Sequence, residues 1–156
     1  MQKNTLDAVD KKILNILMVE AKRPLKEIAE AVFFSVPAVS ARIEKLEKEG
    51  YIRGYQAQVD PVLTGFPARA FIQVAVAQED KEEFYAYVQG CREVAECCCV
   101  TGEYSMMLKV CLPTMEELES FAGRLGRFGK TQTHVVFSVS VPHRGVAITE
   151  ECSKGI

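Results

Sequence analysis

The chain has 156 residues, enough for one domain or two small ones, and 48% of them are hydrophobic. Its 19 Lys and Arg against 21 Asp and Glu leave a slightly acidic balance of −2. No apolar run is long enough to cross a bilayer, and the opening MQKNTLDAVDKK lacks the apolar core of a secretory signal, so a cytoplasmic chain with no membrane partner is expected.

The first predicted element is an amphipathic helix over Leu6–Ala21. Asp7 suits its N-cap and Asp10 its first turn, where the helix dipole favours negative charge. Val9, Ile13, Ile16 and Leu17 form its stripe, which gives out at Glu20, and Lys22, Arg23 and Pro24 stop it. Two short amphipathic patterns follow on either side of a tight break. Leu25, Ile28, Ala29 and Val32 recur at helical spacing in the first, and Val36, Val39, Ile43 and Leu46 in the second. Ser35 is a good N-cap for the second, Pro37 falls in the first turn where its missing N–H costs little, and Gly50 suits the left-handed ending. Two helices joined by a tight turn make a helix-turn-helix, whose second helix can enter a DNA major groove.

With the apolar stripe buried, Pro37, Ala38, Ser40, Ala41, Arg42 and Lys45 lie outward. Small residues let a helix sink close to base edges; Ser40 can donate or accept, and Arg42 can clamp a guanine or grip a phosphate. Together with Lys26 and Ser35 these are the candidate DNA-contacting residues. An ordinary helical hairpin with a solvated outer face would show the same pattern. Residues 1–54 carry ten Lys and Arg against eight Asp and Glu, and residues 55–156 nine against thirteen. A mildly basic reader on an acidic assembly part fits DNA binding, and so small an excess calls for more than one reading head. Tyr51 to Val59 reads as a strand or wing, interrupted by Pro61.

The second half alternates strand and helix signals. Strands are expected over Ala68–Ala77, Val94–Val100, Ser105–Leu112 and Thr131–Val141, and helices over Lys81–Gly90 and Thr114–Arg124, the latter opened by Thr114 and Glu117 at capping-box spacing. The order βαββαβ is ferredoxin-like, an antiparallel sheet with both helices on one face. The bare face must be covered, and a second copy is the simplest cover. The fold class is therefore α+β: a helix-turn-helix, winged-helix-like module over residues 1–54, a hinge or linker strand over 55–66, and a ferredoxin-like domain over 67–156.

Candidate chemistry is sparse. Cys97, Cys98 and Cys99 are consecutive in a strand, where adjacent side chains point to opposite faces, so they cannot converge on one metal without a bend. Zinc spacings are absent, and reduced thiols acting as small hydrophobes are expected, with no metal and no cofactor. There is no Ser–His–Asp set, phosphate loop or acid/base carboxylate pair, so an enzyme is not expected. Gly102, in the turn Thr101–Tyr104, permits close backbone approach, and free N–H groups beside it can receive a carboxylate.

The order LDAVDKKIL, IAEAV, SVPAVSARIEKLEKEGYI and, later, VTGEYSMMLKV resembles the leucine-responsive regulatory protein/AsnC family of transcription regulators, from Leu6 to about Ile148. The resemblance implies a DNA-binding N-terminal module and a C-terminal domain that senses amino acids and builds oligomers. It implies an effector pocket formed by the glycine turn and the segment from Thr131, at an interface between dimers, which selects Thr101, Gly102, Glu103, Tyr104, Ser105, Thr131, Thr133 and His134. It also implies a homodimer assembled further into an octamer. Two departures stand out: Ser105 replaces a common Asp, leaving Glu103 or a carbonyl to hold an ammonium, and Arg92 replaces a common Pro. Two functions stand side by side, a transcription regulator that binds double-stranded DNA under control of a small amino acid, and a stand-alone amino-acid-binding or scaffold protein whose N-terminal module mediates protein contacts.

Overall fold

The computed structural model describes residues 6–149 and divides the chain into two compact units. The first holds three helices, α1 (Ala8–Val19), α2 (Leu25–Val32) and α3 (Val36–Lys48). α1 opens on a reciprocal cap made by two aspartates. Asp7 accepts from the Asp10 N–H at 2.7 Å while Asp10 accepts from the Asp7 N–H at 3.3 Å, so two of the free donors of the first turn are satisfied. α3 opens on Ser35, whose hydroxyl accepts from the Ala38 N–H at 3.4 Å. Gly50 is left-handed, and the Tyr51 N–H returns to the Leu46 carbonyl to close the helix.

Ile13, Leu14, Ile28, Ala29, Val32, Val39, Ile43 and Leu46 form the core of this unit. Leu25 and Val36, at the first positions of their helices, each stay 39% exposed, because no neighbouring element covers them there. α2 ends on Phe33 in the left-handed conformation, at φ 61, and so turns the chain into α3. The strand or wing expected over Tyr51–Val59 is not formed; that stretch has no ladder partner and lies mostly exposed.

A second correction concerns the domain boundary. Residues 141–149 group with the first unit rather than with the sheet. The Asn15 amide donates to the Ile148 carbonyl at 3.0 Å and accepts from the Ile148 N–H at 2.8 Å, mimicking a ladder pair. Ile148 packs against the three-helix core, and at Gly145 an added Cβ would lie 2.5 Å from the Met18 sulfur. The chain's last described stretch is thus part of the helical head.

The second unit spans Val59–Ser140. It contains β1 (Ala68–Val74), α4 (Lys81–Gln89), β2 (Val94–Cys99), β3 (Met106–Leu112), α5 (Met115–Leu125) and β4 (Thr131–Val135), with α5 capped by Thr114. The strands form an antiparallel sheet in the order β2-β3-β1-β4, the ferredoxin-like arrangement. Alternation sends Ala68, Ala70, Ile72 and Val74 of β1 and Met106, Leu108, Val110 and Leu112 of β3 into the core, where they meet Phe84 and Val88 of α4 and Leu118, Phe121 and Leu125 of α5. Arg69, Phe71 and Gln73 of β1 and Met107, Lys109 and Cys111 of β3 lie on the other face. β4 ends six residues before the expected Val141.

Candidate nucleic-acid interface and ligand site

The outer side of α3 presents Pro37, Ala41, Glu44, Lys45 and Lys48, all exposed, opposite buried Val39, Ile43 and Leu46, with Ala38 and Ser40 partly covered at its flanks. Lys26 is exposed at the start of α2. The Lys45 ammonium lies 4.0 Å from the Glu49 carboxylate, a loose pair on the surface. Of the expected set, Pro37, Ala41 and Lys45 are exposed on this side, which also carries two charged positions outside that set, Glu44 and Lys48.

Arg42 departs from its expected outward role. Its Nη1 donates to Asp10 at 2.6 Å and to Asp7 at 2.7 Å, and its guanidinium stacks 5.3 Å from the Phe34 ring centroid. Those bonds hold its pKa above the ordinary arginine value. The Asp10 side chain is only 8% exposed, so a cation is needed beside it. Arg42 ties α3 to the cap of α1. The signal was in the sequence, since an aspartate cap bearing two carboxylates calls for a counter-charge.

The glycine turn lies at the end of the sheet where β1 finishes. Val100 N–H donates to the Ser105 carbonyl at 2.9 Å, closing the turn, and Gly102 adopts φ 112. The Ser105 hydroxyl donates to the Val76 carbonyl at 3.0 Å and accepts from the Val76 N–H at 3.1 Å, so it fastens the β2–β3 turn to the chain leaving β1. On the other side of β1, Ala75 N–H donates to the Lys130 carbonyl at 2.9 Å. Gly129 makes that approach possible, since a Cβ there would lie 2.0 Å from the Ala75 carbonyl oxygen. Lys130 then reaches Glu103 at 2.9 Å and passes over the Tyr104 ring. The Glu103 carboxylate, first, and the Tyr104 hydroxyl raise the Lys130 pKa.

The structure thus brings Gly102, Glu103, Tyr104 and Ser105 together with Lys130, a residue absent from the expected set, and with Thr131, the first residue of β4. Thr101 lies in the same turn, beside Gly102, but Thr133 and His134 are separated. Thr131 and Thr133 pair with Val74 and Ile72 and share the helix-covered side of the sheet, whereas His134 pairs with Phe71 on the other side. One pocket cannot take Thr133 and His134 of the same strand from one face. Thr133 instead lines a shallow cleft of about 350 Å³ with Val135, Met115, Leu118 and Ala122.

The cysteine run splits in the same way. Cys97 and Cys99 pair with Leu108 and Met106, and Cys98 with Met107 on the opposite face, beyond an irregularity between Val94 and Glu96. Burial first, then the neighbouring thiols, raise the Cys97 pKa, and a hydrogen bond to Glu96 raises that of Cys98. Raised thiol pKa values disfavour the reactive thiolate.

A three-helix head with an exposed second helix of the turn, joined to a ferredoxin-like domain bearing a polar glycine turn, defines a DNA-binding regulator with a ligand-binding domain. Residues 6–53 match the winged helix-turn-helix DNA-binding family and residues 69–146 the Lrp/AsnC ligand binding domain, and the chain belongs to the Lrp/AsnC family of transcription regulators, which are not enzymes. It is 29% identical over 133 residues to the HTH-type transcriptional regulator LrpC of Bacillus subtilis, covering 85% of this chain and 92% of that protein. It is 33% identical over 138 residues to the leucine-responsive regulatory protein of Haemophilus influenzae, covering 84% of this chain and 83% of that protein. Among solved structures, a Neisseria meningitidis transcriptional regulator in complex with L-Met superposes with a TM-score of 0.83 at 28% identity, covering 93% of this chain and 97% of that one.

Proposed function

We propose that this regulator reads double-stranded DNA through α3 and responds to a free amino acid bound at the glycine turn. The observation that carries the DNA reading is the pair of small exposed residues Pro37 and Ala41, flanked by the partly covered Ala38, on a helix whose other side is locked into a core. Such a face fits closely against a groove floor, with Ser35, Lys26 and Lys45 placed to meet phosphates. Arg42 supports this by fixing the pitch of α3 against α1.

The Glu103–Lys130 pair suits the ligand. An α-amino acid carries one charge of each sign, and Glu103 and Lys130 offer the two opposite charges side by side. The ligand carboxylate takes Lys130 and the N–H groups beside Gly102; its ammonium takes Glu103, since the Ser105 hydroxyl is already bonded to Val76. The relatives named for leucine and for an L-Met complex support an amino acid as the class. Thr101, Thr131, Thr133 and His134 complete the proposed surroundings only if a second copy supplies some of them. The bare sheet face, with Phe71 39% exposed and the Arg69 Nε buried without a hydrogen-bond partner, supports a homodimer as the minimum unit, and the family resemblance supports an octamer.

Gel shift of the chain's own upstream DNA, with and without each amino acid, tests both parts. A shift that one amino acid alters is the expected result. No shift at physiological salt rejects the DNA reading; a shift that no amino acid alters, with no thermal stabilisation by any of them, rejects the effector. Light scattering that gives a monomer at micromolar concentration rejects the dimer.

A further inference from the structure

Accepting the proposed DNA reading by α3, the polar groups that could read bases there are few. Pro37, Ala38 and Ala41 make only van der Waals contact through their side chains. Arg42 is held by Asp7 and Asp10. Lys45 and Lys48 sit in the last turn, where flexible ammonium groups suit phosphates. What remains are Ser40 and Glu44, one turn apart, and they are bonded to each other: the Ser40 hydroxyl donates to Glu44 Oε1 at 3.3 Å.

A carboxylate on a groove-facing helix is repelled by phosphates from every direction. Glu44 weakens attachment to any DNA unless it meets a group that only certain base pairs offer. The major groove displays two kinds of amino donor, cytosine N4 and adenine N6. Adenine sets its N7 acceptor beside N6, so an acceptor-only carboxylate meets one attraction and one repulsion there. Cytosine presents N4 beside a C–H edge, with no such acceptor on the same base. We infer that Glu44, oriented by Ser40, is a specificity-determining residue that accepts a hydrogen bond from a cytosine amino group at one position in each half-site. Pro37 and Ala41, on the same side of the helix and without charge, let the helix approach near enough for so short a contact.

The electrostatics make this a device for exclusion as much as for attraction. On a wrong sequence Glu44 adds repulsion without a hydrogen bond, which is how a reader with a small basic excess separates sites. Glu44 is exposed and outside the core, so its replacement leaves the fold intact.

The test is enrichment of bound sequences from a randomised duplex pool, with the full chain and its Glu44→Ala, Glu44→Gln and Ser40→Ala variants, each checked by thermal melting. The wild type should enrich one C·G position per half-site that Glu44→Ala loses while every other position is kept. That variant should bind unrelated DNA more tightly, lowering the ratio of specific to non-specific affinity by about tenfold. Glu44→Gln should move the same position toward A·T, because a glutamine can meet both N6 and N7. Ser40→Ala should blur that position without moving it. If the Glu44 variants enrich the wild-type sequence unchanged at every position, the inference is overturned while DNA reading by α3 stands. If the wild type itself enriches nothing, the DNA reading is overturned and this inference falls with it.

Discussion

Arg42 on α3 and Asp10 on α1 meet at 2.6 Å, and this ion pair joins the second helix of the helix-turn-helix to the helix that begins the head. Asp10 is nearly buried and Arg42 about a quarter exposed, so the pair is shielded from water more than a surface bridge. Replacing Arg42 with Met keeps the stem and removes the charge. Arg42→Met should destabilise the head by about 1–3 kcal/mol, because Asp10 loses its partner. Binding should weaken on all sequences together, with no single base preference lost. Urea unfolding with base-preference profiling checks this, and a stable variant that loses one base position would return Arg42 to base reading.

The same cluster sets a pH response. Burial pushes the Asp7 carboxyl up, but the Asp10 backbone N–H, the Arg42 hydrogen bond and its charge together hold it below the ordinary carboxylate value. A folded-state value below the unfolded one stabilises the fold above the unfolded value, and that stability is lost as pH falls through the folded value. Asp7→Asn keeps a good cap without the charge. The variant should be less stable than wild type at neutral pH, and the gap should begin to narrow below about pH 4, the ordinary aspartate value, and go on closing as pH falls through the lower folded value. Denaturation midpoints at pH 7 and pH 3 decide it; a gap that persists unchanged at pH 3 refutes the linkage.

Helix periodicity and caps were legible because they are local. The stripes of α2 and α3, the Ser35 cap and the Thr114 cap depend only on neighbours a turn away. The βαββαβ order followed from alternation and turn residues. The rest depended on partners distant in sequence. The two carboxylates of the α1 cap call for a counter-charge, but nothing near Arg42 identifies it as that partner, since Asp7 and Asp10 lie more than thirty positions earlier. Lys130 reaches the glycine turn only because β4 lies beside β1. Phe33 in a left-handed turn runs against local preference, since a branched-off side chain at positive φ is costly and glycine is the usual occupant. Thr133 and His134 were grouped through the family resemblance, although strand alternation, applied to the cysteines, sends them apart.

Two glycines of the second unit give opposite expectations. Gly129 adopts φ 146, and a Cβ there would meet the Ala75 carbonyl oxygen at 2.0 Å. Gly129→Ala should therefore cost about 1–3 kcal/mol and loosen the Lys130–Glu103 corner. Gly123, inside α5, has open space where its Cβ would go. Gly123→Ala should raise stability by about 0.5–1 kcal/mol through helix propensity. Thermal melts of both variants check the pair, and equal effects of either sign would reject the argument.

The Asn15–Ile148 clamp makes the end of the chain part of the head. Asn15 is mid-helix, where its amide gains nothing from capping, and its donor and acceptor both go to one backbone residue. Gly145 passes so near Met18 that no larger residue fits without a shift, and Gln58 donates to the His143 carbonyl at 3.1 Å. Asn15→Leu keeps the volume and removes both bonds, leaving the Ile148 N–H and carbonyl to water. It should lower head stability by about 1–3 kcal/mol and speed amide exchange at Ile148 well before exchange rises in the sheet. Gly145→Val should have the same effect through Met18. Hydrogen exchange followed by mass spectrometry reads both variants, and unchanged protection of residues 145–149 in Asn15→Leu would show that packing of the Ile148 side chain, rather than the amide clamp, holds the segment down.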